Sequence, residues 1–226
     1  MNKLANFSNL LRNKKDLMGC IFLTLIIQIA ISAVIIMLEQ KHKFILNNNL
    51  MQLNQYLLYF ILLIIGVVLV LTIGYTNLSF FIKQILFFMF SVVIGITLSI
   101  SMYNIEDKQV ITSALIATLA NFGLLFLFGL LIVYFGYDLG WMGVILLIAL
   151  LIVIVYQLVN IFALRSTKFN KLVAVVVVIL FSLFILYDTN NILLKYENSK
   201  NNCIMGALDY YLDILNLFTG WTSFSN

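Results

Sequence analysis

Three carboxylates stand in stretches that are otherwise built to exclude charge. Asp188 follows the apolar run Val173–Tyr187 and precedes Thr189-Asn190-Asn191-Ile192. Asp209 and Asp213 lie within Ala207-Leu208-Asp209-Tyr210-Tyr211-Leu212-Asp213-Ile214-Leu215-Asn216-Leu217-Phe218, four residues apart and therefore on one face of a helix. A charged side chain at mid-membrane costs at least about 2.5–3.5 kcal/mol, so an intramembrane acid is a functional residue by default. Two carboxyl groups close together at low dielectric do not both ionise cheaply, and the pair shares a proton. Such a pair is a pH-sensitive latch and, once ionised, a site for a cation. All-oxygen donors suit a hard cation such as Ca²⁺. The one histidine, His42, falls in a predicted loop, which excludes a histidine-based zinc or iron site inside the membrane. The plainer alternative is that the acids cap helix ends or bond to Thr189, Asn190 and Asn216; it fits Asp209 best, because an acid near a helix start is favoured by the helix dipole.

The elements that hold these acids follow from composition. Of 226 residues, 63% are hydrophobic and 10% charged, against about 45–50% and about 25% in soluble domains. Most of this surface therefore faces lipid, and an ordinary water-soluble globule is excluded. The 13 basic residues form no continuous face, so the net charge of +4 reads as a topology signal and nucleic acid is not an expected partner. Cys20 and Cys203 belong to no metal or redox spacing motif.

A helix needs about 20 apolar residues to cross a bilayer. Seven segments are predicted as spans: Leu17–Leu38, Tyr56–Tyr75, Phe81–Tyr103, Val110–Tyr134, Trp141–Ala163, Leu172–Leu194 and Met205–Trp221. The expected architecture is all-α and integral to the membrane, with a basic N-terminal segment over residues 1–16 and a single seven-helix domain over residues 17–226. Continuous runs of this length exclude an outer-membrane barrel. Four basic residues before the first span against two after it place the N-terminus on the cytoplasmic side. Spans six and seven form an antiparallel hairpin, which brings Asp188 to a depth comparable to that of Asp209 and Asp213.

Tyr187-Asp188-Thr189, followed 24 residues later by Tyr211-Leu212-Asp213-Ile214-Leu215-Asn216-Leu217-Phe218, resembles the C-terminal signature of the Bax-inhibitor (transmembrane BAX inhibitor motif) family. Further upstream, the segment from Leu11-Arg12 to Gln28 resembles the family's approach to its first span, and Ala114, Thr118 and Phe122 fall on its fourth-span pattern. The resemblance implies a seventh helix at the centre of the other six. It also implies that Asp188 and Asp213 form a proton-sensitive gate for a passive Ca²⁺ leak that modulates calcium homeostasis and cell death, with Asp188 and Asp213 as the carboxylates that would meet Ca²⁺ and Asp209 as an accessory acid. No resident cofactor is implied; Ca²⁺ is the cargo, and the bilayer, Ca²⁺, protons and membrane-protein partners are the expected associations. The implied location is an intracellular membrane such as the endoplasmic reticulum or Golgi in a eukaryotic or viral setting, and the plasma membrane in a bacterium.

The sequence departs from the family pattern in four places. Ile94 stands where the third span often carries a glutamate, and Gly136-Tyr137-Asp138-Leu139 keeps the acid of a basic-basic-Asp-Phe loop but loses its cations. The second span has no deep Lys or Arg, and the C-terminus lacks a basic tail. Without a cationic partner, the closed state rests more heavily on proton sharing between Asp188 and Asp213.

Two other functions compete with conduction. An intramembrane aspartyl protease pairs Tyr-Asp with Gly-x-Gly-Asp; here Tyr187-Asp188 is present, but Gly206-Ala207-Leu208-Asp209 loses the second glycine, and a chain without proline lacks the Pro-Ala-Leu element. No enzyme activity is therefore expected. A non-conducting interaction protein regulating apoptosis could use Gly95, Gly123 and Gly129 as close-packing faces. Asn121, Gln28 and Gln157 are read as interhelical hydrogen-bonding residues.

Overall fold

Without proline, nothing in the apolar runs breaks the backbone hydrogen-bond ladder, and in hydrocarbon each run must satisfy its own amides. The computed structural model describes residues 3–42, 55–102, 105, 108–159 and 167–225. Among these residues every regular element is helical: α1 (Lys3–His42), α2 (Gln55–Tyr75), α3 (Phe80–Met102), α4 (Lys108–Phe135), α5 (Met142–Val159), α6 (Thr167–Leu194) and α7 (Lys200–Ser225). Tyr103, Asn104, Glu106, Asp107 and the span end at Ala163 lie outside the described residues, as do residues 43–54.

Five helices, α1, α2, α3, α4 and α6, are long and apolar enough to cross a membrane. The apolar part of α5 is shorter, and α7 is long but carries two acids and several amides. Side chains such as Ile26, Met37, Ile116, Leu119, Val144 and Ile152 are exposed, as lipid-facing residues are.

One boundary needs correction. The segment before residue 17 and the predicted loop from Glu39 are both helical, because α1 runs unbroken through them to His42. Leu, Lys, Arg, Glu and Gln are good helix formers, and neither flank holds a glycine or proline to stop propagation. His42 is thus the last residue of α1 and not a loop residue.

The chain forms two compact units. One contains most of α1, α2, α3 and the start of α7 up to Leu208. In it, Gly95 of α3 accepts the backbone of α1 so closely that a Cβ there would sit 2.7 Å from Cβ of Ile35. Just below, Ser91 Oγ donates to Gln28 Oε1 at 2.8 Å and Ser32 Oγ donates to the Ser91 carbonyl at 2.8 Å. Gln28 is therefore an interhelical bonding residue, as its type implied. Cys20 and Cys203, with Cα atoms 5.8 Å apart, form a disulfide that ties α1 to the first turn of α7. Ser199 caps that turn, accepting from the Asn202 amide at 3.2 Å.

The other unit contains residues 3–16, α4, α5, α6 and α7 from Asp209 onward. Leu146 and Val153 of α5, Val177, Leu180, Phe181 and Ile185 of α6, and Leu217 of α7 make its apolar core. Asn121 Nδ2 donates to Ser182 Oγ at 3.0 Å, joining α4 to α6. Gly129 lets α6 approach α4 until a Cβ would lie 2.7 Å from Thr189 Cβ, whereas Gly123 faces open space and Gln157 is exposed.

The disulfide closes a loop of 183 residues. Breaking it with Cys203→Ser is expected to cost about 2–5 kcal/mol and lower the melting temperature. Maleimide mass-tagging should add two labels to the unfolded wild type only after reduction; two labels without reduction would contradict the link.

Candidate functional site

Five residues separate α6 from α7, so the chain reverses at once and the two acid-bearing helices run side by side. The reversal is built locally: the Asn191 carbonyl accepts from the amides of both Lys195 and Tyr196, at 2.8 and 3.2 Å, which closes α6 and turns the chain inward. Asp188 on α6 is 8% exposed and Asp213 on α7 is 2% exposed. Their carboxyl groups lie close enough to interact directly. An ionised carboxylate only accepts, so two carboxyl groups in this position can hydrogen-bond to each other only with a proton held between them. The second oxygen of Asp213, Oδ2, is buried without a partner.

Asp209, one turn before Asp213 on α7, is half-buried and takes a different partner. The Tyr196 hydroxyl, reaching in from the α6–α7 loop, donates to Asp209 Oδ2 at 2.8 Å. Burial, and then the Asp209 charge, push the Tyr196 phenol up, so it remains a donor throughout the physiological range. Among the described residues, no group of three or more His, Cys, Asp or Glu side chains is arranged to hold a metal ion. The acids are thus an adjacent pair, Asp188 and Asp213, with a third carboxylate, Asp209, one turn away and bonded to Tyr196.

The neighbours expected to bond the acids are engaged elsewhere. Thr189 Oγ1 and the Tyr210 hydroxyl lie 2.9 Å apart, linking α6 to α7 next to the pair. Phe122 and Phe126 of α4 set ring edges against Tyr210, with centroids at 5.3 and 6.3 Å. Ala114 and Thr118 are buried on the same helix. Asn216 Nδ2 donates to the Leu212 carbonyl at 2.7 Å.

Asn190, buried beside Thr189, organises the α4–α5 turn: its Nδ2 donates to the Tyr137 carbonyl at 2.8 Å and its Oδ1 accepts from the Leu139 amide at 2.9 Å. That turn begins at Gly136, whose φ of +88° and paired Gly136→Val133 and Tyr137→Ile132 bonds form a helix C-cap suited to glycine. Asp138 within it pairs with Lys195 at 3.2 Å and accepts from the Gly140 amide. The cation missing from the turn's own sequence is therefore supplied by the end of α6. Lys14 of α1 donates to the Tyr196 carbonyl, tethering the same loop from another side. Neither Tyr196 nor Lys14 was legible as a site residue, because a loop tyrosine and a flanking lysine carry no spacing signal.

Residues 15–222 match the family described as "Inhibitor of apoptosis-promoting Bax1". The chain belongs to that family. An uncharacterized protein of Helicobacter pylori is 45% identical over 94 residues, covering 40% of this chain and 39% of that protein. The inner membrane protein YbhL of Escherichia coli is 32% identical over 162 residues, 68% of this chain and 67% of YbhL. Protein LIFEGUARD 1 of Arabidopsis thaliana is 24% identical over 204 residues, 90% of this chain and 84% of that protein. The matched segment spans about two fifths of the Helicobacter relative's length. With its apolar helices and an inner membrane relative, this member of the Bax-inhibitor family is a multi-pass integral membrane protein.

Two measurements check the turn that flanks the site. Asn190→Ala removes both hydrogen bonds and leaves two backbone groups unpaired, an expected loss of about 1–3 kcal/mol in thermal or denaturant unfolding. The Gly140 amide and then Lys195 hold the Asp138 carboxyl below its ordinary 3.8, so its contribution is present above that value and lost as pH falls through the folded-state value. The stability difference between wild type and Asp138→Asn should therefore be constant near neutral pH and vanish in acid; a difference that grows on acidification would contradict the assignment.

Proposed function

We propose that this chain is a passive Ca²⁺ leak channel gated by the Asp188–Asp213 pair. The observation that carries the proposal is a buried pair of adjacent carboxyl groups on neighbouring helices of a multi-pass membrane protein of the Bax-inhibitor family. With one proton between them, the acids bear a single charge and hold α6 to α7. Loss of that proton leaves two like charges that repel at low dielectric and offer oxygen ligands to a hard cation. Asp209, Tyr187, Tyr196 and Tyr210 are the other titratable groups facing the pair, and Asp209 adds a further acid on the path. In this reading all seven helices cross the bilayer as one domain over residues 17–226, with α7 central. The near-continuous burial of Ala207, Leu208, Tyr210, Tyr211, Asp213 and Ile214 supports that place for α7. The membrane would be the plasma membrane in a bacterial cell and an intracellular one in a eukaryotic cell.

The proposal is of conduction and not catalysis. The carboxyl group bonded to Asp188 is that of Asp213, whereas the protease-like spacing would use Asp209. For a purely interacting protein, two of the three candidate glycines are already used inside the chain: Gly95 packs on Ile35 and Gly129 on Thr189.

Liposomes holding a trapped calcium dye test the proposal. Flux is expected in the wild type, rising with pH across roughly 6 to 8 as the shared proton is lost, and strongly reduced in Asp213→Asn, which keeps hydrogen bonding but cannot ionise. Flux unchanged by Asp213→Asn, or absent throughout that pH range, would overturn it.

A further inference from the structure

The α6–α7 loop carries a side chain placed to control access to the acids. We propose that Tyr196 is a gating residue of the conduction path: its hydroxyl caps Asp209, and release of that one hydrogen bond opens the third acid to an incoming Ca²⁺. The inference rests on the conduction reading and adds to it the residue that guards one end of the path.

Three observations support it. Tyr196 lies on the connection between the two acid-bearing helices, and its 2.8 Å bond occupies Oδ2 of the carboxylate one turn from Asp213. The loop is held at that depth by independent bonds, from Lys14 to the Tyr196 carbonyl and from Tyr196's own amide to the Asn191 carbonyl. Holding the main chain on both sides fixes the ring without using the hydroxyl, so the hydroxyl's bond to Asp209 can break without the loop coming apart. Asp209 and Asp213 lie four residues apart on one helix face, a spacing that lets a cation pass from one carboxylate to the next. With the phenol in place, Asp209 has a donor on one oxygen and a reduced capacity to bind a cation.

Dye-loaded liposomes at neutral pH, with external Ca²⁺ as the probe, provide the test. Tyr196→Phe should raise Ca²⁺ flux about tenfold, the shift that loss of one hydrogen bond to a charged group gives when it holds a closed state. Adding Asp209→Asn to Tyr196→Phe should cancel the gain, because the freed carboxylate is what the gain requires. Trapped carboxyfluorescein should be retained by both variants. Wild-type flux that depends on Asp213 but does not change in Tyr196→Phe would overturn the gate while leaving the channel standing. A gain that survives Asp209→Asn, or that releases carboxyfluorescein, would show loosened packing and overturn it equally. Wild-type protein with no flux would remove the channel reading and this inference together.

Discussion

Two carboxyl groups buried against each other set the terms for the rest of this molecule. Removing a single charge from water into hydrocarbon is costly, and removing two like charges to one place is more so. In the proposed reading, one proton shared between Asp188 and Asp213 resolves this by leaving a single charge on the pair. That solution works only if the two helices stay at fixed spacing, since a small separation would break the bond and leave two buried acids unpaired.

The surroundings supply that spacing through contacts that carry no net charge. Gly129 removes a side chain where Thr189 must approach α4, and Thr189 then meets the Tyr210 hydroxyl across to α7. Phe122 and Phe126 close against the Tyr210 ring from α4. These contacts lie at the residues next to the acids, so α4, α6 and α7 are held where the pair needs them. Beside them, formal charges are engaged at the α4–α5 and α6–α7 turns, where Asp138 meets Lys195 and Lys14 meets the Tyr196 carbonyl.

Membrane class, helical content, the acids and the family were all legible in the sequence, because each rests on a strong local signal. Long apolar runs leave a helix as the one way to satisfy the backbone, and an aspartate inside such a run is conspicuous. The interhelical roles of Asn121 and Gln28 were legible for the same reason, since a lone amide in hydrocarbon needs a partner on another helix. Helix ends were less so: α1 extends on both sides of its apolar core because its polar flanks are equally good helix formers.

Spacing and composition left the pairing open. Three acids at similar depth do not say which two meet, and only the family resemblance singled out Asp188 and Asp213; the sequence separation of 183 between Cys20 and Cys203 gives no sign that they meet. The sequence by itself determined that this chain is a helical membrane protein with acids buried near its C-terminus, since hydrophobicity and periodicity are properties of each segment alone. Tertiary structure decided that Asp213 faces Asp188, that Asp209 faces Tyr196 and that Lys195 replaces the turn's missing cations. Those choices depend on helix rotation and on the path of short turns, which are set by side chains far apart in the chain.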